Sequence, residues 1–313
     1  MGDWIDMRNW YLSALSLILA VSGAMLCGQS LDQKIGQATT NFHGVTSLFA
    51  KNLDTGSSYG LRENERVRTA STIKLAIMVT VFDAVEHGRA KWTEKLTLHG
   101  SDKVGGTGVL FEFSDGMQFP IRDLVHLMIV LSDNTATNLL LDRFTADAVN
   151  AEMDSLGLSN TRSLRKILIG GKGPSGVSQA GRLEENQRFG LGVSTPREMA
   201  TLMEKMERGE LVNPTASREM IAILKRQQDK NGMGRRTGDL PVADKTGSLD
   251  HLRSDVGVVY TPGGRIAIAI TVDDIPDVNY TPDNAGSILI SQLTGLLLDG
   301  LAKHENQRDA HPR

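Results

Sequence analysis

With 313 residues, 40% hydrophobic and 23% charged, the chain has ordinary globular composition and enough length for one large domain or two smaller ones. A formal net charge of −3 argues against general electrostatic attraction to nucleic acid or to an anionic membrane. The single cysteine, Cys27, excludes an intramolecular disulfide and a thiolate metal cluster.

In chain order, the first feature is "WYLSALSLILAVSGAML", Trp10 to Leu26, an uncharged run behind Arg8. It has the pattern of an export signal, with small residues at Ser22-Gly23-Ala24 that suit cleavage. The run is short for a membrane span, and Asp3 and Asp6 weaken the basic n-region, so an uncleaved N-terminal anchor is the alternative. Residues 1–28 are read as signal peptide or anchor, and the mature protein is expected to be exported, periplasmic or secreted. Ala24-Met25-Leu26 before Cys27 does not fit a lipoprotein signal, so no lipidation is expected.

Leu31 to Phe42 then reads as a helix, and "VTSLFAKNLDTGSSYGLRENE" as two strands around Asp54-Thr55-Gly56. Ser71 to Val85 has helical spacing at Ile73, Ala76, Ile77, Val81 and Ala84. Gly105 to Gly108 is a loop, and Ile121 to Leu131 and Asn134 to Phe144 are two further helices. Ser163 to Val193 is long, irregular and rich in glycine and charge, the type of segment that is functional or disordered. Helices return at "STPREMATLMEKME", where Ser194 or Thr195 caps and Pro196 sits near the first turn, and at "TASREMIAILKRQQ". "VADKTGSL", "VGVVYT" and "RIAIAITVDD" are strands, Gly263-Gly264 turns a hairpin, and "AGSILISQLTGLLLDGLAKH" closes as a helix. If early and late strands share one sheet, the helical block from about residue 71 to 230 is an insertion, with a groove between two subdomains. A catalytic domain over 31–304 and a frayed tail over 305–313 complete the division.

Three triplets carry the chemistry. Ser71 and Lys74 in "RTASTIKL" lie one helical turn apart, so both side chains reach one face. A serine hydroxyl needs a base to become a nucleophile, and a lysine serves only when neutral, through burial and a second nearby cation. Ser132-Asp133-Asn134 stands at a loop-to-helix junction, where Ser132 can relay a proton, Asp133 brace the turn and Asn134 bond an amide. Lys245-Thr246-Gly247 lies on a strand whose glycine admits close approach of an anionic ligand. Each has an ordinary explanation by itself: a solvated lysine, an N-cap, a charge-protected edge strand. Their conjunction, in this order, is far less ordinary.

Ser-x-x-Lys, Ser-Asp-Asn and Lys-Thr-Gly in sequence form the motif set of class A β-lactamases and penicillin-binding proteins, which this chain resembles. "ENERVRTASTIK", "GGTGVL", "MIVLSDNTATNLL", "STPREMA" and "RSDVGVVYTP" also look like class A segments, so the resemblance spans essentially the whole mature chain. It implies an α+β fold, an antiparallel sheet flanked by helices with an inserted all-helical subdomain. It also implies a serine hydrolase that opens β-lactam rings through an acyl-enzyme on Ser71. Lys74 would deprotonate Ser71 directly or through a water, and Ser132 and Lys245 would pass a proton to the leaving nitrogen. The N–H groups of Ser71 and Ser248 would form the oxyanion hole. Thr246, Ser248 and Arg253 would hold the substrate carboxylate and Asn134 its side-chain amide. The expected partner is a small β-lactam or a cell-wall peptide, with no cofactor, no metal and a monomeric state.

The chain departs from the class A pattern on the loop before the Thr-Pro helix. Class A enzymes carry Arg-x-Glu-x-x-x-Asn there, and the glutamate activates the deacylating water. Here Arg182-Leu183-Glu184 fits, but Asn186 arrives two residues early. Glu184 is the candidate base and Glu185 its alternative. A D-Ala-D-Ala peptidase or another amide or ester hydrolase, and a slowly acylating sensor or binder, are the competing functions. Gly170 to Gly176 lacks the spacing of a phosphate loop, and the seven histidines form no close pair that would mark a zinc enzyme.

Overall fold

The computed structural model describes residues 29–167 and 176–302. The expected export segment, most of the glycine-rich stretch after Ile169 and the C-terminal tail lie outside these residues.

Ser30 opens α1 (Leu31–Thr40) with a reciprocal cap: its Oγ accepts from Gln33 N and Gln33 Oε1 accepts from Ser30 N. β1 (Val45–Asn52) and β2 (Ser58–Leu61) form the expected hairpin, and Asn52 Oδ1 turns the chain by accepting from Asp54 N and Thr55 N. β3 (Val67–Arg68) leads into a 3-10 turn, Ala70–Ile73, and then α2 (Lys74–Glu86). The single helix expected from Ser71 is thus divided, with Ser71 in the tight turn and Lys74 as the first α-helical residue.

β4 (Lys95–Thr97) and β5 (Gln118–Pro120) make a small ladder before α3 (Ile121–Val130) and α4 (Asn134–Phe144). α5 (Ala146–Ser155) was not expected. Its buried side chains are Ala146, Val149, Asn150 and Met153, too thin an apolar stripe to stand out in the sequence. The irregular stretch holds β6 (Arg162–Ser163), two one-turn helices, α6 (Gln179–Arg182) and α7 (Glu184–Gln187), and β7 (Gly192–Ser194), which pairs with β3 and β6. Thr195 caps α8 (Pro196–Glu207) by accepting from Glu198 N at 3.1 Å. α9 (Pro214–Leu224), β8 (Val242–Leu249), β9 (Leu252–Thr261), β10 (Gly264–Asp273) and α10 (Ala285–Leu301) complete the described chain.

Early and late strands do share one antiparallel sheet, in the order β2-β1-β10-β9-β8. Both faces are covered. On β10, Ile266, Ile268, Ile270 and Val272 pack with α1 and α10, while the alternate Ala267 and Ala269 join the core of the helical part. α2 is buried at every residue from Lys74 to Phe82, so it runs through the helical core rather than over its surface. A lysine therefore enters the core at the helix start. β8 is the sheet edge, and its sequence is Val242-Ala-Asp-Lys-Thr-Gly-Ser-Leu249.

Candidate active site

The edge strand, the start of α2 and the junction between α3 and α4 converge on one polar cluster. Gly247 makes this possible: a Cβ there would meet Thr69 O at 2.8 Å and Ser71 N at 3.1 Å, so only glycine lets β8 approach the Ser71 turn this closely. Ala70, immediately before Ser71, has φ +48°, and Ser132 has φ +53°. Non-glycine residues in this left-handed region carry strain that the surrounding structure must hold, a condition that clusters at functional sites.

Lys74 and Lys245 are both fully buried. Lys74 Nζ lies 2.8 Å from Ser132 O, 3.0 Å from Asn134 Oδ1 and 3.2 Å from Ser132 Oγ. Lys245 Nζ lies 3.1 Å from the same Ser132 Oγ and 2.7 Å from Thr246 O. One hydroxyl therefore bridges two lysines. Burial, then the charge of Lys245, hold Lys74 well below the usual lysine range, against the opposing pull of Asp133. Burial lowers Lys245 to about 8, with Asp244, Asp229 and Asp255 resisting the change.

A neutral Lys74 beside a charged Lys245 gives each contact in this cluster one donor and one acceptor. Lys245 donates to Ser132 Oγ and Thr246 O. Neutral Lys74 donates its two N–H bonds to Ser132 O and Asn134 Oδ1, which leaves its lone pair for a neighbouring hydroxyl, that of Ser132 at 3.2 Å or that of Ser71 one turn away. The result is a continuous hydrogen-bonded path that joins Lys245, Ser132 and Lys74. Ser71 is partly exposed, one turn from Lys74, and its Oγ has no hydrogen bond to another described residue.

Asp133 does more than brace its own turn. Its Oδ1 caps α4 by accepting from Ala136 N, and its Oδ2 accepts from Val109 N at 2.7 Å and Leu110 N at 2.8 Å. It thereby ties down the Gly105–Gly108 loop. Thr107 on that loop, not among the sequence candidates, donates to Ser132 O at 2.7 Å and contacts Asn134 Oδ1 at 3.2 Å. Asn134 Nδ2 donates to Gly105 O. Only the spatial return of the loop reveals this role; a threonine between glycines carries no distinguishing sequence signal.

Thr246 is buried and Ser248 partly exposed on β8, with Ser248 directly opposite Arg253 on β9. The Arg253 guanidinium donates to the carbonyls of Leu249, Leu252 and Asn279 and stacks over Tyr280. It clasps the β8–β9 turn. Glu184 and Glu185 on α7 are exposed, and neither carboxylate has a hydrogen-bond or ion-pair partner among the described residues. The loop residue that turns inward is Asn186, which donates to Ala180 O and accepts from Arg66.

A family model described as the beta-lactamase enzyme family matches residues 30–301. The chain belongs to that family. Beta-lactamase L2 of Stenotrophomonas maltophilia is 29% identical over 238 residues, covering 73% of this chain and 71% of that protein. Among solved structures, the beta-lactamase from Sphaerobacter thermophilus DSM 20745 superposes with a TM-score of 0.74 at 29% identity, over 86% of this chain and 95% of that one. A mutant of PBP-A, solved as its acyl-enzyme complex with penicillin G, gives 0.73 at 28% identity over 86% and 94%. The β-lactamase and penicillin-binding-protein fold expected from the motifs, a mixed α and antiparallel β architecture, is the fold of this family member.

Proposed function

We propose that the protein is a serine hydrolase that opens β-lactam rings through an acyl-enzyme on Ser71. The observation that carries this reading is the Ser132 hydroxyl shared between a depressed Lys74 and a charged Lys245, next to a part-exposed serine. Family membership and the β-lactamase relatives support the substrate class.

In this mechanism neutral Lys74 takes the Ser71 proton, and Ser71 Oγ attacks the lactam carbonyl. The developing oxyanion is held by the N–H groups of Ser71 and Ser248, brought together by the Gly247 contact. The carbonyl–nitrogen bond breaks as Ser132 gives its proton to the leaving nitrogen. Ser132 is then reprotonated from the Lys74–Lys245 pair, so no net proton is lost from the cluster. Thr246 and Ser248 bind the substrate carboxylate, with the Arg253 charge at their turn, and Asn134 bonds the side-chain amide. Hydrolysis of the ester then requires a base for water, the role assigned to Glu184. Export to the periplasm or beyond and action as a monomer belong to the same reading.

A second reading, an enzyme that acylates but releases slowly, is favoured by the exposed positions of Glu184 and Glu185. Penicillin hydrolysis followed in parallel with D-alanine release from a cell-wall peptide tests both readings. Rapid lactam opening, with Glu184→Gln trapping the adduct and Glu185→Gln turning over normally, is the expected outcome. D-alanine release without lactam turnover would replace the reading by a peptidase.

A further inference from the structure

Behind the active-site strand lies a second ionisable cluster that the reaction steps above do not use. Asp244, adjacent to Lys245 on β8, and Asp255 on β9 are 0% and 1% exposed. Asp244 pairs with Gly257 and Asp255 with Thr246, so the two aspartates are diagonal neighbours on one sheet face. Glycines seal them in. A Cβ on Gly257 would stand 2.7 Å from Asp244 Cβ, and one on Gly232 would stand 2.4 Å from Asp255 Oδ2.

The hydrogen-bond inventory of this pair does not close if both groups are ionised. Asp255 Oδ2 accepts from Met233 N at 2.7 Å. The other three oxygens, both of Asp244 and Oδ1 of Asp255, are buried with no donor among the described residues. The nearest cation is Lys230, whose Nζ is 3.8 Å from Asp244 Oδ1 on a half-exposed side chain, a loose contact. Asp229 adds a further negative charge nearby. Two buried carboxylates side by side repel, and burial disfavours both charges. One proton between them converts one carboxylate into a donor and gives the other an acceptor's partner.

We propose that Asp244 and Asp255 share a single proton, and that the one remaining negative charge is the counter-ion that keeps Lys245 protonated for Ser132. They are positioning residues: neither touches Ser71, and they act through Lys245. Desolvation raises both carboxyls above the usual range, in accord with a retained proton, and the two aspartates are among the groups that resist loss of the Lys245 charge. The functional consequence rests on the reading of Lys245 as the cation at Ser132, but the protonation state can be tested without turnover.

The test is isotope-edited infrared spectroscopy of the full protein carrying carboxyl-labelled aspartate, with the Lys245 ammonium titrated by NMR. At neutral pH the wild type is expected to show a protonated aspartyl carbonyl band that is absent in Asp244→Asn and in Asp255→Asn. In each single variant the amide supplies the donor and the surviving carboxylate keeps the charge, so the Lys245 midpoint stays within a few tenths of a pH unit. In the double variant the midpoint falls by about a unit or more, as expected when a nearby opposite charge is lost. A folded wild type with no protonated band at neutral pH would overturn the proposal. So would a single variant that lowers the Lys245 midpoint as far as the double. If the double variant does not fold, the infrared band and the two single-variant midpoints still decide.

Discussion

At the scale of residues, the chemistry depends on two lysines in opposite protonation states sharing one hydroxyl. Lys74 acts without its proton, so acylation rises with pH as its depressed pKa is passed. Lys245 acts with its proton, so acylation falls as pH rises through about 8. Stopped-flow acylation should therefore give a bell-shaped profile. Lys245→Arg, whose charge cannot titrate in this range, should shift the alkaline limb upward even if the maximum rate drops. Ser71→Ala removes the nucleophile and should reduce lactam opening by at least about a thousandfold while leaving the fold intact. Thr107→Ala removes the hydroxyl holding Ser132 O and should slow acylation by about fivefold, the size of one hydrogen bond of about 1 kcal/mol. An unchanged rate would mean that Asp133 alone holds the loop.

At the scale of elements, function depends on how near β8 comes to the turn before α2. Gly247→Ala places a methyl group 2.8 Å from a backbone carbonyl and must push strand and turn apart. Acylation should fall by about a hundredfold with a loss of about 1–3 kcal/mol of stability, measured as kcat/KM beside a thermal melt. The interior of α2 should show the reverse pattern. Ile77 is fully buried among the helical core, so Ile77→Ala should lower unfolding free energy by roughly 2–5 kcal/mol in a denaturant titration. A cost below about 1 kcal/mol would contradict the placement of α2 inside the core.

For the whole molecule, the sequence exposed elements whose apolar period is strong or whose turns are specific. The β1–β2 hairpin, α3, α4, α8 and the three late strands were legible for that reason. α5 was not, since tertiary packing holds a helix with few apolar residues, and the division of the Ser71 helix into a 3-10 turn and an α-helix leaves no mark on its apolar spacing. The site was legible in part. Ser71, Lys74, Ser132, Asn134 and Lys245 stand in motifs, and the lysines meet at Ser132. Spacing could not show that Ser132 bridges them, that Thr107 returns to the site, or that Glu184 and Glu185 remain exposed in the free protein. These are facts of long-range contact and burial, set by which segments the sheet edge brings together.

The most direct measurement is the intact mass of the protein followed over time after mixing with a penicillin, with peptide mapping of any adduct. An adduct of one intact penicillin on Ser71 that forms, then decays as hydrolysed product accumulates, is the predicted result. No adduct and no product with several β-lactams, or modification at a residue other than Ser71, would contradict the account.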